Sequence, residues 1–221
     1  RIVDIEAVAN DFTQVFVATG SGGVWKSVNA GTTWEPIFDR YGSASIGDIA
    51  LSPSNSNIIW VGTGEANNRN SVSWGNGIYK STDGGKTFQH LGLDQTQQIA
   101  RIIPHPTDPN NVYVGAIGPL WSTEGSRGLF HTTDGGKTWN KLTNGLPAAG
   151  TAGVTDLVMD PTNPKILYAA YYERLRQPWT FTSGGPNGGI YKSTDAGKSW
   201  KKLTTGLPAG PTGRIGLAIY A

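Results

Sequence analysis

Nine residues of the sequence, KSTDGGKTF from Lys80 to Phe88, decide the architecture because close copies of them recur along the chain. The copies read KSVNAGTTW at 26–34, HTTDGGKTW at 131–139 and KSTDAGKSW at 192–200. The spacings between their equivalent acidic or amide residues, Asn29, Asp83, Asp134 and Asp195, are 54, 51 and 61 residues. A period of about 50 residues is that of a four-stranded propeller blade, so four copies predict four blades.

Each unit contains four strand-like runs bounded by Gly, Pro, Asn and Asp, and the second unit shows them most clearly. A turn at Pro53-Ser54-Asn55-Ser56 separates the first two runs, and Pro presets φ for such a turn. No segment has a sustained apolar period of 3.6 residues, so we predict an all-β chain with almost no helix. The four runs are SIGDIALS (45–52), NIIWVGTG (57–64), GIYKS (77–81) and KTFQHLG (86–92).

The repeated motif lies between the third and fourth runs, where the chain must reverse in a hairpin. Its glycine suits a positive φ, its Asp or Asn can accept backbone N–H bonds, and its final aromatic residue can pack between blades. The same chemistry in every unit indicates a structural role, because an active site needs its residues in one place. These positions are Ser27, Asn29, Gly31, Trp34, Ser81, Asp83, Gly85, Phe88, Thr132, Asp134, Gly136, Trp139, Ser193, Asp195, Gly197 and Trp200.

The pattern Ser-x-Asp-x-Gly-x-Thr-Trp resembles the Asp-box, or BNR repeat, of sialidases, two-propeller xyloglucanases, sortilin-type (VPS10) ectodomains and a photosystem-assembly propeller. In those families the box is a structural hairpin on the face away from the active site. The stretches 60–88 and 184–200 further resemble large secreted bacterial proteins described as sortilin-like or BNR glycosyl hydrolases. The resemblance implies an exported protein, whether secreted, periplasmic or at the cell surface, although RIVDIEAVAN at 1–10 does not read as a signal peptide.

We expect a single, incomplete propeller over residues 1–221, with blades at 1–42, 43–95, 96–148 and 149–208. The stretch GRIGLAIYA (213–221) aligns with the first strand of a blade, so residues 209–221 are predicted to begin a fifth. Propellers usually close with about 4 to 8 blades, and an open ring exposes sheet edges. The expected partner of these blades is therefore the remainder of the same propeller on a longer chain.

Charge and composition exclude several classes of function. Charged residues make up only 15% of the chain, and 18 basic and 16 acidic residues are scattered along it. Without a strong field of one sign or a long apolar run, neither nucleic-acid binding nor membrane insertion is expected. The chain has no Cys, and its three His residues lack metal-ligand spacing, so we predict no metal site and no cofactor.

The loops from the second to the third strand of each blade share the face opposite the repeated hairpins, and their irregular sequences are expected to carry recognition. Aromatic rings beside amides and guanidinium groups suit a sugar, and the same mixture suits a polypeptide partner. A third interpretation is that the loops pack on each other and cover the central channel. The candidate ligand-binding residues are Asn67, Asn68, Arg69, Trp74, Trp121, Tyr172, Arg174, Arg176 and Trp179.

Glycoside hydrolysis needs two carboxyls about 5 Å apart for retention or about 6.5–9.5 Å apart for inversion. On the loop face the candidate pair is Glu65 and Glu173, with Glu124 third, and a packing or ion-pair role is the competing interpretation of each. Arginines with Tyr171 or Tyr172 could serve a sialidase-like site. On the innermost strands, a shared register predicts that four charged residues line the channel: Asp4, Asp48, Arg101 and Asp156.

These observations favour a binding or scaffold propeller module of a larger exported bacterial protein or assembly, which recognises a protein or a glycan through its long loops. The alternative is a glycoside hydrolase, sialidase-like or xyloglucanase-like, with paired loop carboxylates. Two carboxyls opposed across an open aromatic cleft would favour the enzyme. Carboxyls paired with arginine beneath packed loops would favour the binding module.

Overall fold

The computed structural model describes residues 1–148 and 150–220, which fold into four antiparallel sheets and one short 3-10 turn at Asp94–Thr96. The first sheet contains β1 (Ile2–Val8), β2 (Asp11–Thr19), β3 (Val24–Ser27) and β4 (Glu35–Pro36). The second contains β5 (Ile46–Ser52), β6 (Asn55–Thr63), β7 (Ile78–Ser81) and β8 (Gln89–His90). The third contains β9 (Ile99–Pro104), β10 (Val112–Ala116), β11 (Gly128–Thr132) and β12 (Asn140–Leu142). The fourth contains β13 (Ala152–Met159), β14 (Leu167–Gln177), β15 (Thr180–Ser183), β16 (Gly189–Ser193) and β17 (Lys201–Lys202).

Within every sheet the strands follow chain order from the inside outward, and only β15 lies off this path, paired with β14. The innermost strands of successive sheets contact each other, β1 with β5, β5 with β9 and β9 with β13. Sheets that meet along their first strands are arranged radially, as the blades of a propeller are. The structure thus confirms the predicted all-β segment of propeller blades.

The hydrophobic core lies between adjacent sheets. Phe16 and Phe38 of the first sheet region pack against Ile46 and Ile59 of the second, and similar clusters join the second to the third sheet and the third to the fourth. Because the second sheet is covered on both faces, residues Ile58 to Thr63 of β6 are buried without alternation. Blade stacking therefore explains the apolar run in this strand.

The four repeated hairpins adopt one geometry. In the second, Ser81 Oγ accepts the N–H of Gly85 at 2.9 Å, and Asp83 Oδ1 accepts the N–H of Thr87 at 2.9 Å. The other three copies make the same Ser or Thr to Gly bond at 2.8–3.0 Å. The glycine two residues after the Asn or Asp has φ between 78° and 93° in every copy. These turns are local structural units that reverse the chain between the two outer strands.

Two expected elements differ in the structure. The fourth strand of the second blade, predicted over 86–92, is limited to β8 because the hairpin itself occupies the residues before it. Residues 213–220 form no strand ladder among the described residues, although Leu217 donates its N–H to Asp156 Oδ2 at 2.7 Å beside β13. An inner strand obtains its ladder from the second strand of its own sheet, and none pairs with this stretch in the described chain. Ala149 and Ala221, at the predicted limits of the fourth and fifth blades, lie outside the described residues.

The part of the chain that the structure describes contains no helix with the length and hydropathy required to span a bilayer.

Candidate ligand-binding face

The loop face is the side of the sheets that carries the connections from each second to each third strand. It contains residues 20–23, 64–77, 117–127 and the hairpin of β14 and β15 with the segment that leads to β16. The repeated hairpins between third and fourth strands lie at the opposite end of the sheets, because successive antiparallel turns alternate between the two ends. Three of these four connections are long and carry the candidate residues.

Arg174 of β14 joins loops from three sheets. Its Nη1 donates to the carbonyl oxygen of Ala66 at 3.2 Å and to Asn68 Oδ1 at 2.6 Å, and its Nη2 donates to Gly118 O at 3.0 Å and to Gln98 Oε1. The side chain is 0% exposed. Burial, together with the nearby charges of Arg127 and Arg214, lowers the pKa of Arg174 to about 9, so it remains charged at neutral pH. Arg174 therefore acts inside the loop cluster and makes no contact with solvent.

Arg127 is a second buried guanidinium on this face. It donates to the carbonyl oxygens of Ile117 at 3.0 Å and Pro119 at 2.6 Å, and also to that of Ser122. Burial lowers its pKa to about 10. Gly118 lies between the two arginines, because a Cβ there would overlap the Arg127 side chain while its carbonyl oxygen binds Arg174. Carbonyl dipoles, not carboxylates, stabilise both charges.

Glu65 is enclosed by hydrogen-bond donors. Its carboxylate accepts from Arg1 Nη1 at 2.6 Å, Arg69 Nε at 2.9 Å and Asn67 Nδ2 at 3.1 Å, and its side chain is 0% exposed. Burial alone would raise the pKa of Glu65, but these hydrogen bonds and positive charges outweigh it and hold the pKa below its usual range. An enclosed, ionised carboxylate can neither protonate nor attack a ligand in this conformation.

Glu173 and Glu124 lie in other surroundings. Glu173 Oε1 accepts the backbone N–H of Asn187 at 2.5 Å, and its carboxylate lies against Gly185, so it is held by the segment that follows β15. Glu124 is exposed. Because Glu65 is buried among Arg1, Arg69 and Asn67 while Glu173 binds the 185–187 turn, the structure does not present them as a free pair across an open cleft.

The two neighbouring tyrosines are part of the packed interior. Tyr172 Oη is hydrogen-bonded to Asn68 Nδ2 at 3.0 Å and to Ser183 Oγ at 2.8 Å. Tyr171 lies in the core between the third and fourth sheets, and burial, followed by the nearby Tyr191, raises its pKa above the usual range. Neither phenol is placed as a nucleophile.

Three tryptophans are the candidate residues most accessible from solvent. Trp74 is 62% exposed in the 64–77 loop, Trp121 is 41% exposed in the 117–127 loop, and Trp179 is 78% exposed at the tip of the β14–β15 hairpin. Arg176 stacks over the Phe181 ring of the same hairpin with its guanidinium carbon 4.1 Å from the ring centroid. These side chains place apolar and cationic surface on the loop face.

The inner strands hold their charged residues in successive sheets, as their shared register predicts. Asp48 Oδ2 accepts the N–H of Ile102 at 2.6 Å, and Asp4 Oδ2 accepts that of Ile49 at 3.4 Å, so each carboxylate binds the inner strand of the next sheet. Arg101 bridges Asp48 at 3.5 Å and Asp156 at 3.1 Å. Burial, then the charge of Asp4, raises the pKa of Asp48 well above its usual range against the opposing effect of Arg101. These groups join blades, and Asp48, Arg101 and Asp156 line a polar cavity of about 170 Å³.

Several residues of this face were missed by sequence reasoning. Gln98, Arg127 and Arg214 all bind loop residues, the last through Asn67 Oδ1 at 3.2 Å. Only Arg127 carried a signal, because it ends a long loop beside a strand; Gln98 and Arg214 stand in unremarkable sequence. Within the described residues, no group of three or more His, Asp or Glu is placed to hold a metal ion.

Comparison with known proteins gives one family match and a set of longer relatives. The family model Sortilin-Vps10 (sortilin, neurotensin receptor 3) matches residues 76–209. A xyloglucanase of Hypocrea jecorina is 26% identical over an alignment of 240 positions, which covers 90% of this chain and 26% of the relative. Xyloglucanase Xgh74A of Acetivibrio thermocellus is 25% identical, covering 89% and 24%. Vacuolar protein sorting/targeting protein 10 of Sordaria macrospora is 28% identical, covering 62% and 8%.

Solved structures show the same fold. An ancestral GH74 enzyme superposes with a TM-score of 0.69 at 23% identity, covering 94% of this chain and 24% of that one. The GH74 xyloglucanase of Xanthomonas campestris gives a TM-score of 0.65 at 19% identity, covering 91% and 29%. At these identities the likeness establishes the fold and not the activity. The chain spans about a quarter of the length of the curated xyloglucanases that it matches.

Proposed function

We propose that this chain, which belongs to the Sortilin-Vps10 family, is a binding module whose propeller blades hold a protein or a glycan on the loop face without cleaving it. One observation carries the proposal. The best-placed candidate carboxylate, Glu65, is 0% exposed and bound by Arg1 and Arg69. With Glu65 enclosed and Glu173 bound to the Asn187 N–H, the large exposed groups of this face are its tryptophans, which suit recognition without turnover.

The exposed tryptophans supply the recognition surface. Each offers a flat apolar face that stacks on a pyranose ring or packs against a polypeptide, and tryptophan is enriched among the residues that dominate binding energy. The loops that carry them are tied together beneath the surface by Arg174 and Arg127. A pre-ordered surface loses less conformational entropy when it binds.

A binding screen tests this function. The chain is titrated with soluble polysaccharides, including xyloglucan, and panned against a displayed random-peptide library. For the ligand found, Trp74→Ala, Trp121→Ala and Trp179→Ala are each expected to weaken binding about tenfold, the loss expected for an interface anchor. Trp34→Ala is the matched control, since Trp34 is 37% exposed but belongs to a repeated hairpin on the opposite face. No ligand in either arm, or an equal loss with Trp34→Ala, would reject the proposal.

Glycoside hydrolysis is the second candidate function, and the similarity to the two xyloglucanases favours it. Turnover of xyloglucan and of a panel of chromogenic glycosides is expected to be absent at pH 5 to 8. If turnover is observed, Glu65→Gln and Glu173→Gln decide whether the loop carboxylates carry it. Loss of turnover in either variant, with the fold intact by circular dichroism, would establish the enzyme and exclude the binding module.

We further propose that the module works within a larger exported bacterial protein or assembly, with the rest of its own propeller as one partner. Support comes from the resemblance of its repeats to those of exported proteins and from relatives in which the matched region is about a quarter of the chain. Fractionation of the native host, with the module found outside the cytoplasm, tests the location.

A further inference from the structure

The hairpin formed by β14 and β15 has an edge that no other strand occupies. β14 continues past the end of its pairing with β16 at Tyr171, turns at Pro178–Trp179 and returns as β15. β15 pairs with β14 alone. Three of its four residues are exposed, and Phe181 is half-buried. A single bridge joins Gly185, two residues after β15, to Thr212, so the outer side of β15 is open over Thr180–Ser183 and ends at that bridge.

The alternation of antiparallel pairing identifies the free backbone groups. Gly184 donates its N–H to Glu173 O at 2.8 Å, so this opposite pair is hydrogen-bonded, and the next bonded pairs are Leu175 with Thr182 and Gln177 with Thr180. Phe181 and Ser183 then direct their N–H and C=O groups outward. In agreement, the N–H of Arg176, opposite Phe181, points away from β15 to Leu120 O at 2.8 Å. No backbone group in residues 1–148 or 150–220 pairs with these outward groups.

The other outer edges of the sheets are protected against pairing, whereas β15 is not. β4, β8 and β17 have two residues each and β12 has three, and Pro36, Lys141 and Lys201 lie in them. Short length, Pro and Lys are the usual devices that prevent strand addition at an edge. β15 has four residues, TFTS, with no Lys, no Pro and no bulge. It is the edge of the described chain best suited to accept another strand.

Two accessible cations lie near this edge. Arg176 is half-buried on the hairpin and Arg214 is exposed, whereas the guanidinium groups of Arg174 and Arg127 are buried behind them. In the described part of the chain none of these four forms an ion pair, and Glu173, the acid on β14, accepts the N–H of Asn187. A partner with carboxylates would supply the missing counter-charge.

We propose that the free edge of β15 binds an extended, acidic polypeptide segment by strand addition, with the outward groups of Phe181 and Ser183 forming the ladder. This inference rests on the proposed binding function and names its partner. The regular spacing of N–H and C=O groups two residues apart matches a backbone and not a sugar ring. A second copy of this chain would bring another Arg176 to the same edge, which disfavours self-pairing.

Proline substitutions test the ladder directly. Phe181→Pro removes an outward N–H that the hairpin itself does not use, and Pro is tolerated at such edge positions. Phe181→Ala is the matched control, because it also removes the ring that stacks with Arg176 but keeps the N–H. The probe is a fluorescein-labelled eight-residue peptide of alternating Thr and Glu, titrated at low salt. Binding is expected to weaken about tenfold in the Pro variant and less than about twofold in the Ala variant.

A second pair covers the case in which Phe181→Pro fails to fold. Ser183→Pro and Ser183→Ala both lose the hydroxyl bonded to Tyr172 Oη and differ in the outward N–H. Hydrogen exchange of the unmodified chain gives a measurement without substitutions, and the amides of Phe181 and Ser183 are expected to become protected when the peptide binds. A peptide of alternating Thr and Lys is expected not to bind.

Four outcomes would overturn strand addition: no binding of the acidic peptide, equal binding by the Pro and Ala variants, equal binding of the Lys peptide, or a dimer of the chain that Phe181→Pro dissociates. The proposed function can survive each of them. A ligand that responds to Trp74→Ala and Trp121→Ala but not to Phe181→Pro would keep the binding module and reject this edge. If neither the tryptophan variants nor the proline variants weaken binding, both the binding module and strand addition at β15 are rejected.

Discussion

Arg174 is charged at a site without solvent exposure, and oxygen atoms from three loops surround it. Carbonyl and amide oxygens replace only part of the hydration that a guanidinium loses, which is why the pKa of Arg174 falls. The same oxygens would be left without donors if the side chain were absent. Arg174 therefore ties these loops to β14.

We predict that Arg174→Ala lowers the free energy of unfolding by about 3 to 5 kcal/mol, because it leaves four buried acceptors unsatisfied and opens a cavity. Arg176→Ala is the control from the same strand. Its guanidinium is half-buried and stacks on Phe181, so its loss is expected to cost about 1 kcal/mol. Urea denaturation measures the free energy of unfolding of both variants. Similar losses in Arg174→Ala and Arg176→Ala would contradict the role given to Arg174.

At the scale of elements, the second and third repeated hairpins also fasten one blade to the next. Lys26 Nζ donates to Gly84 O of the second hairpin at 3.0 Å and lies over the Phe16 ring of its own sheet. Lys80 Nζ donates to Gly135 O at 3.2 Å and lies over Trp60. Contact between blades thus explains the lysine before the serine in the first two copies.

The 64–77 loop depends on the glycine with which it begins. Gly64 has φ 90°, and a Cβ there would overlap the carbonyl oxygen of Gln97. Gly92 has nearly the same φ, 85°, with no atom within 4 Å of the same position. We predict that Gly92→Ala costs about 1 kcal/mol of stability through backbone strain alone and that Gly64→Ala costs about 3 kcal/mol or more. Chemical denaturation of the two variants compares their losses of stability. Equal losses would show that the overlap between a Cβ at position 64 and the Gln97 carbonyl oxygen is relieved at no cost.

At the scale of the molecule, convergence of the inner strands on one axis brings acidic groups together. Burial, followed by the charge of Asp4 and against that of Arg101, raises the pKa of Glu6 to about 7. The folded chain then holds a proton that the unfolded chain releases at lower pH. Stability due to this group is complete below about pH 4.5 and is lost as the pH rises through 7.

We predict that Glu6→Gln is more stable than the unsubstituted chain by about 1 to 2 kcal/mol at pH 8 and equal to it at pH 4, with solvent screening at the half-buried site taken into account. Thermal unfolding from pH 4 to pH 8 measures the difference. Glu35→Gln, at an exposed position on β4, is the matched control. A constant difference between Glu6→Gln and the unsubstituted chain across this range would disprove the linkage.

The blades could be predicted because their signals are local. A hairpin motif repeated four times sets the period, and turn residues delimit the strands, so β5, β6 and β7 start and end within two residues of the predicted runs. The loop face was predictable only as a location. Trp74, Trp121 and Trp179 are exposed there, whereas Arg174 and Tyr172, predicted to bind ligand, are buried beneath it. Ligand binding by any of these residues stays a prediction.

The sequence alone determined the all-β class, the blade period and the hairpin chemistry, since each depends on residues a few positions apart. Tertiary structure decided which charged side chains are buried and what they bind. The partners of Arg174 are 56 to 108 residues away along the chain, and none is marked by a motif. Burial of a charge depends on which loops meet when the sheets pack side by side. The pattern within a single blade contains no information about that meeting.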